Sequence, residues 1–271
     1  VQSQRDSLSK RNRTNLLNAM TTTSNWNSLL VGTLNGKAID LTNARLMSIT
    51  ASFVEFLKKK LGKESLTVTV GYDSRVSSEH ISRTVTRTLA SLGVKVYDCG
   101  LSSTPSMFMS IINFGVDAAV EITASHLPME MNGLKFFTRE GGFSGDDIKA
   151  ILTRASTKVW TKGDFRGATE KLNNMAKYCE DLREMIKKGV NAPDYEQPLK
   201  GLKIVVDPSN GVGEFYIKDV LNPLGADTSG SIAVHPDGRF PTHQPNPENK
   251  AAMDLISEAT KNANGDLGII F

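Results

Sequence analysis

The chain has 271 residues, of which 39% are hydrophobic and 23% charged, a composition typical of a globular protein with one or two domains. Its net charge of +3 is too small to indicate nucleic-acid binding. The two cysteines, Cys99 and Cys179, fit neither a disulfide framework nor metal-ligand spacing, which favours a reducing compartment. No apolar run approaches the length of a membrane-spanning helix, so we expect a soluble protein with neither nucleic-acid nor membrane partners.

The first 30 residues form a leader whose composition differs from the rest of the chain. Its charged residues are Arg5, Asp6, Lys10, Arg11 and Arg13. Such a basic, hydroxyl-rich segment is typical of a transit-peptide remnant, and equally of a disordered extension of a cytosolic protein. The first interpretation predicts a plastid location, which we take as the working expectation, and the second a cytoplasmic one.

Residues 31–156 alternate helical and strand patterns, which predicts a first α/β domain. Helices are expected to begin at Thr42, Ser77, Thr104 and Ser144, and strands to lie at 66–70, 94–97, 116–122 and 134–138. Strands separated by helix-length segments indicate βαβ units and a largely parallel sheet. Only a short loop joins the last two strands, so we expect that pair to be antiparallel and the sheet to be mixed.

Residues 157–171 have the composition of a linker, and residues 172–271 predict a second domain of the same class. A helix is expected at 172–188, followed by strands near 204–206 and at 267–271. The loop at 207–213 contains two glycines between a strand and a helix. Such a loop can bind phosphate on free N–H groups, but a structural turn is the favoured interpretation. The predicted fold is therefore two α/β/α sandwich domains with mixed, mostly parallel sheets.

The most informative stretch begins at Glu121 in a buried strand pattern that ends in a polar loop. The loop supplies Thr123, Ser125 and His126 within four positions. Ligands of open α/β sheets bind beyond the carboxyl ends of strands, so Ser125 lies where a reacting group would be expected. Hydroxyl groups in a turn also bond to their own backbone, and local chemistry leaves both interpretations open.

The loop at 123–128 reads Thr-Ala-Ser-His-Leu-Pro, and residues 132–136 read Asn-Gly-Leu-Lys-Phe. Together they resemble the active-site loop of the α-D-phosphohexomutases, the phosphoglucomutase/phosphomannomutase superfamily. The resemblance extends over about residues 32–271 and corresponds to the first half of the family's usual length. It implies that Ser125 carries a phosphoryl group, that Lys135 is a candidate general acid/base, that His126 belongs to the catalytic set and that Thr123 supports the phosphate. The family usually has Asn where this chain has Leu127.

Two further segments bear on the phosphate site. The loop at 71–75 resembles the family's Gly-x-Asp-x-Arg loop, in which Arg75 would face the phosphate. The alternative is a strand-end turn in which Asp73 caps the backbone and Arg75 pairs with an acid. Near the start of the chain, the family has an arginine that points into the active site. Here one alignment places Lys37 at that position and another places Val31, and lysine would keep the charge without the planar fork.

The resemblance implies Mg²⁺ as cofactor of the complete enzyme and a hexose 1,6-bisphosphate as activator. In the family, three aspartates of an Asp-x-Asp-x-Asp-Arg loop hold Mg²⁺ together with an oxygen of the serine phosphate, as suits this hard ion. This chain ends at Phe271, the residue before that loop. We therefore expect Ser125 to be the only family ligand present, no stable metal site, and no sugar-recognition or distal phosphate-binding domain.

Three functions stay open. The first is an incomplete, inactive half of a phosphohexomutase, which would act on a hexose phosphate together with a missing C-terminal half or another subunit. The second is a non-catalytic binding or structural subunit. The third is a serine hydrolase, which is disfavoured because Ser125 and His126 are adjacent on one loop and the sequence has no Gly-x-Ser-x-Gly elbow.

Overall fold

The computed structural model describes residues 28–30, 41–157 and 167–271. The predicted leader up to residue 27 lies outside these ranges, as do Val31, Lys37 and residues 158–166 of the predicted linker. The last three leader residues, by contrast, form strand β1 (Ser28–Leu30). These residues pair with residues 131–133 of the first domain, and the leader boundary at residue 30 stays a prediction.

Four helices of the first domain follow the predicted order: α1 (Asn43–Leu61), α2 (Ser78–Ser91), α3 (Thr104–Phe114) and α4 (Gly145–Thr157). The Thr42 hydroxyl accepts the Arg45 N–H at the start of α1, which ends at Gly62 in the left-handed conformation. At α3, Ser103 and Ser106 form a reciprocal capping box. Local capping chemistry thus explains why these helix ends could be located from sequence.

The sheet of the first domain contains seven strands: β1, β2 (Thr67–Tyr72), β3 (Lys95–Leu101), β4 (Ala118–Ile122), β5 (Met131–Thr138), β6 (Gly141–Gly142) and β7 (Thr169–Lys171). Their order is β1-β5-β4-β2-β3-β7, and β6 pairs with β5. Strands β4, β2, β3 and β7 are parallel, whereas β5 is antiparallel to β4. The expected mixed sheet is confirmed. The last three residues of the predicted linker form β7 and pair with β3.

Side chains of β4 alternate between two hydrophobic clusters on opposite faces of the sheet. Val120 belongs to the large cluster formed with α1, α2 and α4. Ala119 belongs to a smaller cluster with Met107 of α3 and the partly buried Phe137 of β5. The next odd-numbered position, Glu121, therefore falls on the α3 face of the sheet, one residue before β4 ends.

The second domain contains α5 (Asn174–Val190), β8 (Ile204–Asp207), a π-helical segment (Tyr216–Leu221), a 3₁₀ turn (Asn222–Leu224), α6 (Lys250–Asn262) and β9 (Leu267–Ile270). Strands β8 and β9 are parallel neighbours. The two domains are joined where the Asn174 side chain donates to the Ser106 carbonyl of α3. Across all described ranges, the helices are either too short or too polar to span a bilayer.

Candidate phosphoserine site

The turn after β4 holds Ser125 in an uncommon backbone conformation. Its φ is 54°, in the left-handed region that few non-glycine residues adopt. The Ser125 N–H donates to the Thr123 hydroxyl at 2.9 Å, and the Thr123 side chain is buried. The Ser125 side chain itself is exposed. The contact with Thr123 thus fixes the Ser125 backbone and leaves the Ser125 side chain exposed.

Arg75 fixes the conformation of this turn through hydrogen bonds to its backbone. Its guanidinium donates to four carbonyl oxygens, those of Ser125 (2.8 Å), Leu127 (2.7 Å), Pro128 (2.6 Å) and Met131 (3.1 Å). The Nε–H donates to Asp73 at 3.0 Å, so all five N–H donors are used. The Arg75 side chain is fully buried. Arg75 therefore supports the site by positioning the loop, and it pairs with an acid as the alternative interpretation expected.

Asp73 connects this clamp to the start of α2 and to β5. It accepts the Arg75 backbone N–H at 3.1 Å and the Ser78 hydroxyl at 2.6 Å. The Ser78 oxygen in turn accepts from the Asn132 amide at 2.8 Å. The Asn132 side-chain oxygen then accepts the Gly133 N–H at 2.8 Å. The Asn-Gly pair of the sequence motif is thus a structural link between the serine turn and the strand that carries Lys135.

Glu121 and Lys135 lie directly opposite each other in the antiparallel register of β4 and β5. Glu121 is only 1% exposed, and its Oε2 has no hydrogen-bond partner within the part of the chain that the structure describes. Burial, reinforced by the nearby Asp73 charge, raises the pKa of the Glu121 carboxyl well above its usual range. Lys135 is half-buried, and burial lowers the pKa of its ammonium group against the opposing pull of Glu121.

A cleft between the two domains opens above Ser125. The first domain contributes Glu121, Thr123, Ser125 and His126 to its wall. The N-terminus of α3 lines the same cleft through Ser103, Thr104 and Pro105. Pro105 has no N–H and the Ser106 N–H is bonded to the Ser103 cap, so this end favours negative charge through the helix dipole. The cleft therefore offers hydroxyls, an exposed imidazole and a helix dipole to an anionic ligand.

Loops of the second domain close the cleft from the other side. The Ser74 hydroxyl donates to the Asn210 carbonyl at 3.1 Å, and the Gln244 amide donates to the His126 carbonyl at 3.4 Å. The Phe240 ring lies 5.0 Å from the Arg75 guanidinium carbon. Near this contact, Gly238 approaches the backbone of residues 74–76 so closely that a Cβ on it would lie 2.3 Å from the Ser74 carbonyl oxygen. The rim of the site is thus built by both domains.

The predicted structural turn after β8 contains a second serine in the left-handed conformation. Ser209 is buried, and its hydroxyl donates to the Phe271 carbonyl at 2.8 Å. Its N–H donates to Asp207, which also pairs with His243 at 2.8 Å. Both members of that pair are almost fully buried. These contacts support the interpretation of the loop as a structural element.

Comparison with known proteins places this geometry in a family. The model for alpha/beta/alpha domain I of phosphoglucomutase/phosphomannomutase matches residues 31–161, and the model for domain II matches residues 176–271. This chain belongs to the phosphoglucomutase/phosphomannomutase family. The resemblance predicted from the serine loop is therefore confirmed, together with the α/β/α fold class.

Individual relatives agree with this assignment. A "Phosphoglucomutase/phosphomannomutase" of Thermococcus kodakarensis is 30% identical over 248 residues, covering 89% of this chain and 52% of that protein. A "Phosphomannomutase" of Salmonella montevideo is 32% identical, covering 82% of this chain and 48% of its own length. A "Probable phosphoglucosamine mutase" of Methanopyrus kandleri is 32% identical, with 75% and 43% covered. The chain thus spans about half the length of the curated relatives it matches.

A solved structure supports the same conclusion. The crystal structure of a phosphoglucomutase/phosphomannomutase family protein from Burkholderia thailandensis superposes with a TM-score of 0.72 and 25% sequence identity. The match covers 90% of this chain and 50% of the Burkholderia chain. The two-domain arrangement around the cleft is therefore one already observed within the family.

The Mg²⁺ that the family resemblance implies does not fit the described residues by themselves. Within the ranges 28–30, 41–157 and 167–271, no three His, Cys, Asp or Glu side chains come together closely enough to bind a metal ion. Ser125 would contribute one phosphate oxygen, whereas Mg²⁺ prefers six oxygen ligands. We therefore assign no step of the chemistry to a metal bound by these residues.

Glu121 is the residue of this site that sequence reasoning passed over. It is one of two acidic positions, with Asp117, in an otherwise apolar strand pattern at 116–122. An acidic residue on the same sheet face as Ala119, one position before the strand ends, is the signal that could have identified it. His126 lines the cleft. Lys37 and Val31, the alternatives for the family's arginine, lie outside the described residues.

Proposed function

We propose that this chain carries the phosphoserine site of a phosphohexomutase, which moves phosphate between C1 and C6 of a hexose phosphate through Ser125. The names of the relatives support a hexose-phosphate mutase activity for the family. One observation assigns the proposed phosphoryl transfer to a particular residue. Ser125 presents an exposed hydroxyl from a clamped turn at the carboxyl edge of β4, inside a cleft lined by a helix N-terminus.

The proposed reaction uses Ser125 twice. Phospho-Ser125 gives its phosphoryl group to a free hydroxyl of the hexose monophosphate, so the Ser125 Oγ–P bond breaks and a sugar O–P bond forms. The sugar hydroxyl loses its proton in this step, and Ser125 Oγ gains one. The resulting hexose 1,6-bisphosphate turns around, and Ser125 Oγ then attacks its other phosphorus. In that step the second sugar O–P bond breaks, the serine proton leaves, and the departing sugar oxygen gains a proton.

Lys135 is the proposed proton carrier for these steps. A general base must hold a free electron pair at working pH, and burial lowers the pKa of Lys135 toward that range. Lys135 projects from β5 on the same face of the sheet as Glu121. Glu121 is the member of this pair that lines the cleft. Thr123 holds the Ser125 backbone, and we place the exposed His126 ring beside the bound sugar phosphate. Lys37 remains the proposed extra cation, and a plastid remains the proposed location.

We further propose that these 271 residues do not turn over substrate alone. The residues described bring no metal-binding group to Ser125, and the chain corresponds to about half of each curated relative. A phosphoryl group in transfer spreads charge over its oxygens and needs positioned cations to meet it. We expect the missing cations and the sugar-orienting surface from a C-terminal half or another subunit.

Two other functions make different predictions. A non-catalytic family member would bind a hexose phosphate without phosphorylating Ser125. A serine hydrolase would need a hydrogen bond between the Ser125 hydroxyl and a base. Among the described contacts, the His126 ring makes none with Ser125, and the two side chains are on adjacent residues. The hydrolase is therefore not supported.

Phosphate mapping tests the proposal directly. The full-length enzyme, or this chain completed by a C-terminal half, is incubated with glucose 1,6-bisphosphate, digested and mapped by mass spectrometry, with Ser125→Ala and Ser209→Ala run in parallel. We expect one phosphate on Ser125, its complete loss in Ser125→Ala, and full incorporation in Ser209→Ala. Phosphate on another residue, or no incorporation at all, would overturn the phosphoserine assignment and favour the non-catalytic alternative.

A coupled assay tests the inactivity of the chain. It follows glucose 6-phosphate formed from glucose 1-phosphate with Mg²⁺ and the activating bisphosphate. The wild-type chain by itself is expected to match Ser125→Ala. Turnover clearly above the Ser125→Ala control would show that these residues supply a complete site.

A further inference from the structure

We propose that Glu121 and Lys135 form one electrostatically coupled pair, in which Glu121 is the positioning residue that sets the charge of Lys135. The inference deepens the proposed phosphoryl transfer, and its meaning for catalysis rests on that proposal. The pair itself is a physical arrangement that can be measured without any substrate. It assigns a role to the one strongly buried acid of the cleft that the proposed chemistry does not use.

The sheet brings the two side chains together. Glu121 and Lys135 are direct partners across β4 and β5, and such partners have Cβ atoms roughly 4.5–5.5 Å apart on one face of the sheet. That face continues from Ala119 and Phe137, which contact Met107 of α3. Both groups therefore lie above an apolar layer, where water screens their interaction poorly.

Glu121 has little else to interact with. Its Oε2 lies 2.9 Å from the point where Gly71 would carry a Cβ, so the carboxyl fills space that a side chain at position 71 would need. No described donor bonds to that oxygen. Buried carboxyl oxygens without a donor are costly when ionised, so an opposing cation has a large influence on the charge state.

The charged and titratable groups around the pair come from four strands or strand ends. Asp73, after β2, is already paired with Arg75 and faces Glu121 as a like charge. Cys99 of β3 also interacts with Glu121, and burial raises the pKa of its thiol to about 12, so it is uncharged at neutral pH. Lys135 of β5 is the only cation whose charge acts on Glu121 among the described groups. The charge state of Glu121 therefore depends on that of Lys135 as well as on burial and on Asp73.

The two groups should titrate as a unit. Burial opposes the charge on each residue, whereas each charge stabilises the other. Groups coupled in this way release protons in two macroscopic steps that belong to the pair. An ionised Glu121 supports the ammonium form of Lys135 and makes it a stronger base. Without that carboxylate, Lys135 should hold its proton less firmly.

Nuclear magnetic resonance measures this coupling in the protein without ligand. The Lys135 side chain and the Glu121 carboxyl are labelled with ¹³C, assigned with Lys135→Arg and Glu121→Gln, and followed over pH. In the wild type we expect both signals to move in two steps over the same pH range. In Glu121→Gln we expect a single Lys135 titration step at lower pH than in the wild type. At a pH between the wild-type and variant curves, the neutral amine form of Lys135 should be roughly tenfold more abundant in the variant. The matched control Glu140→Gln, at an exposed position after β5, should leave the Lys135 curve unchanged.

The outcomes separate this inference from the proposed function. A single wild-type Lys135 step that Glu121→Gln does not move would overturn the pair. The wild-type curves alone decide the matter if the variant does not fold. Repeating the titration in Ser125→Ala should give the same curves, because no phosphate is involved. Absence of phosphate on Ser125 would remove the proposed mutase role while leaving the measured pair intact.

Discussion

Two turns in this molecule hold a serine at the same backbone angle with opposite exposure. Ser125 follows β4 and Ser209 follows β8, and both have a φ of 54°. In each turn the serine N–H donates to a side-chain oxygen two residues earlier, Thr123 Oγ1 at 2.9 Å and Asp207 Oδ1 at 2.8 Å. The local sequence therefore builds one turn geometry in both domains.

The difference lies in what each hydroxyl contacts. The Ser209 hydroxyl is buried and donates to the Phe271 carbonyl. The Ser125 side chain is exposed to the cleft, and its hydroxyl makes no hydrogen bond with the residues that the structure describes. The turn alone thus does not make a serine reactive. An unengaged hydroxyl above a rigid backbone distinguishes the candidate nucleophile from its structural counterpart.

The largest effect is expected from Lys135→Arg, which tests whether the exposed serine needs a proton acceptor. Arginine keeps the positive charge but cannot release a proton at neutral pH. In the complete enzyme, the rate of phosphate transfer from glucose 1,6-bisphosphate to Ser125 should fall by roughly 10²–10⁴. Rapid-quench labelling measures it, with the exposed Lys149→Arg as control. A near-normal rate would leave Lys135 as a fixed charge that binds phosphate.

Arg75→Met should destabilise the first turn most strongly. The substitution leaves four carbonyl oxygens and the Asp73 carboxylate without their buried donor. Removing one partner of a buried ion pair costs about 3–5 kcal/mol of unfolding free energy. Urea unfolding measures this loss. The matched control is Arg83→Met, whose side chain is 64% exposed in a surface pair and should change stability by no more than about 0.5 kcal/mol. Equal losses in both variants would contradict the clamp.

Glu121→Gln should change how stability depends on pH. The unfolded Glu121 loses its proton near pH 4.3, whereas the folded protein retains it to higher pH because burial raises the pKa. Between these two pKa values the folded state binds the extra proton, so stability falls as pH rises, by about 1.4 kcal/mol per unit.

The neutral glutamine lacks this loss, so the stability of Glu121→Gln relative to wild type should increase from pH 5 upward. Urea unfolding at several pH values measures the difference, and Glu140→Gln again serves as the exposed control. A difference that stays constant over this range would mean that Glu121 is ionised in the folded protein.

The smallest effect is expected from Ser209→Ala. It removes one hydrogen bond to a backbone carbonyl and should cost about 1 kcal/mol of unfolding free energy. Phosphate incorporation at Ser125 should be unchanged, since Ser209 contributes a structural contact. A loss of incorporation that exceeds the loss of folded protein would show that the two turns are functionally coupled.

Much of this architecture was predictable because its signals are local. The Thr42 cap and Gly62 stop mark α1, and the apolar run before Thr123 marks β4. The polar turn that follows placed Ser125 at the correct edge of the sheet. These features depend on neighbouring residues, so a single sequence contains them.

Other features depend on tertiary contacts and could not be inferred. The same guanidinium donors suit a phosphate or a set of carbonyls, and only the fold shows that Arg75 faces the loop at 125–131. Strand β7 is three residues long and has no burial pattern of its own, because all three are exposed. The importance of Glu121 emerges only when β4 and β5 are placed in register.

The close approach of Gly238 to the first domain has a mechanical consequence. Its nearest neighbours are backbone atoms, the Ser74 carbonyl oxygen and the Val76 nitrogen, which cannot swing aside as a flexible side chain can. This steric contact limits how closely the domain II loop at Gly238 can approach residues 74–76 of the first domain. A methyl group at position 238 would push the two domains apart at this contact. The spacing between the two domains at this contact thus depends on position 238 having no Cβ atom.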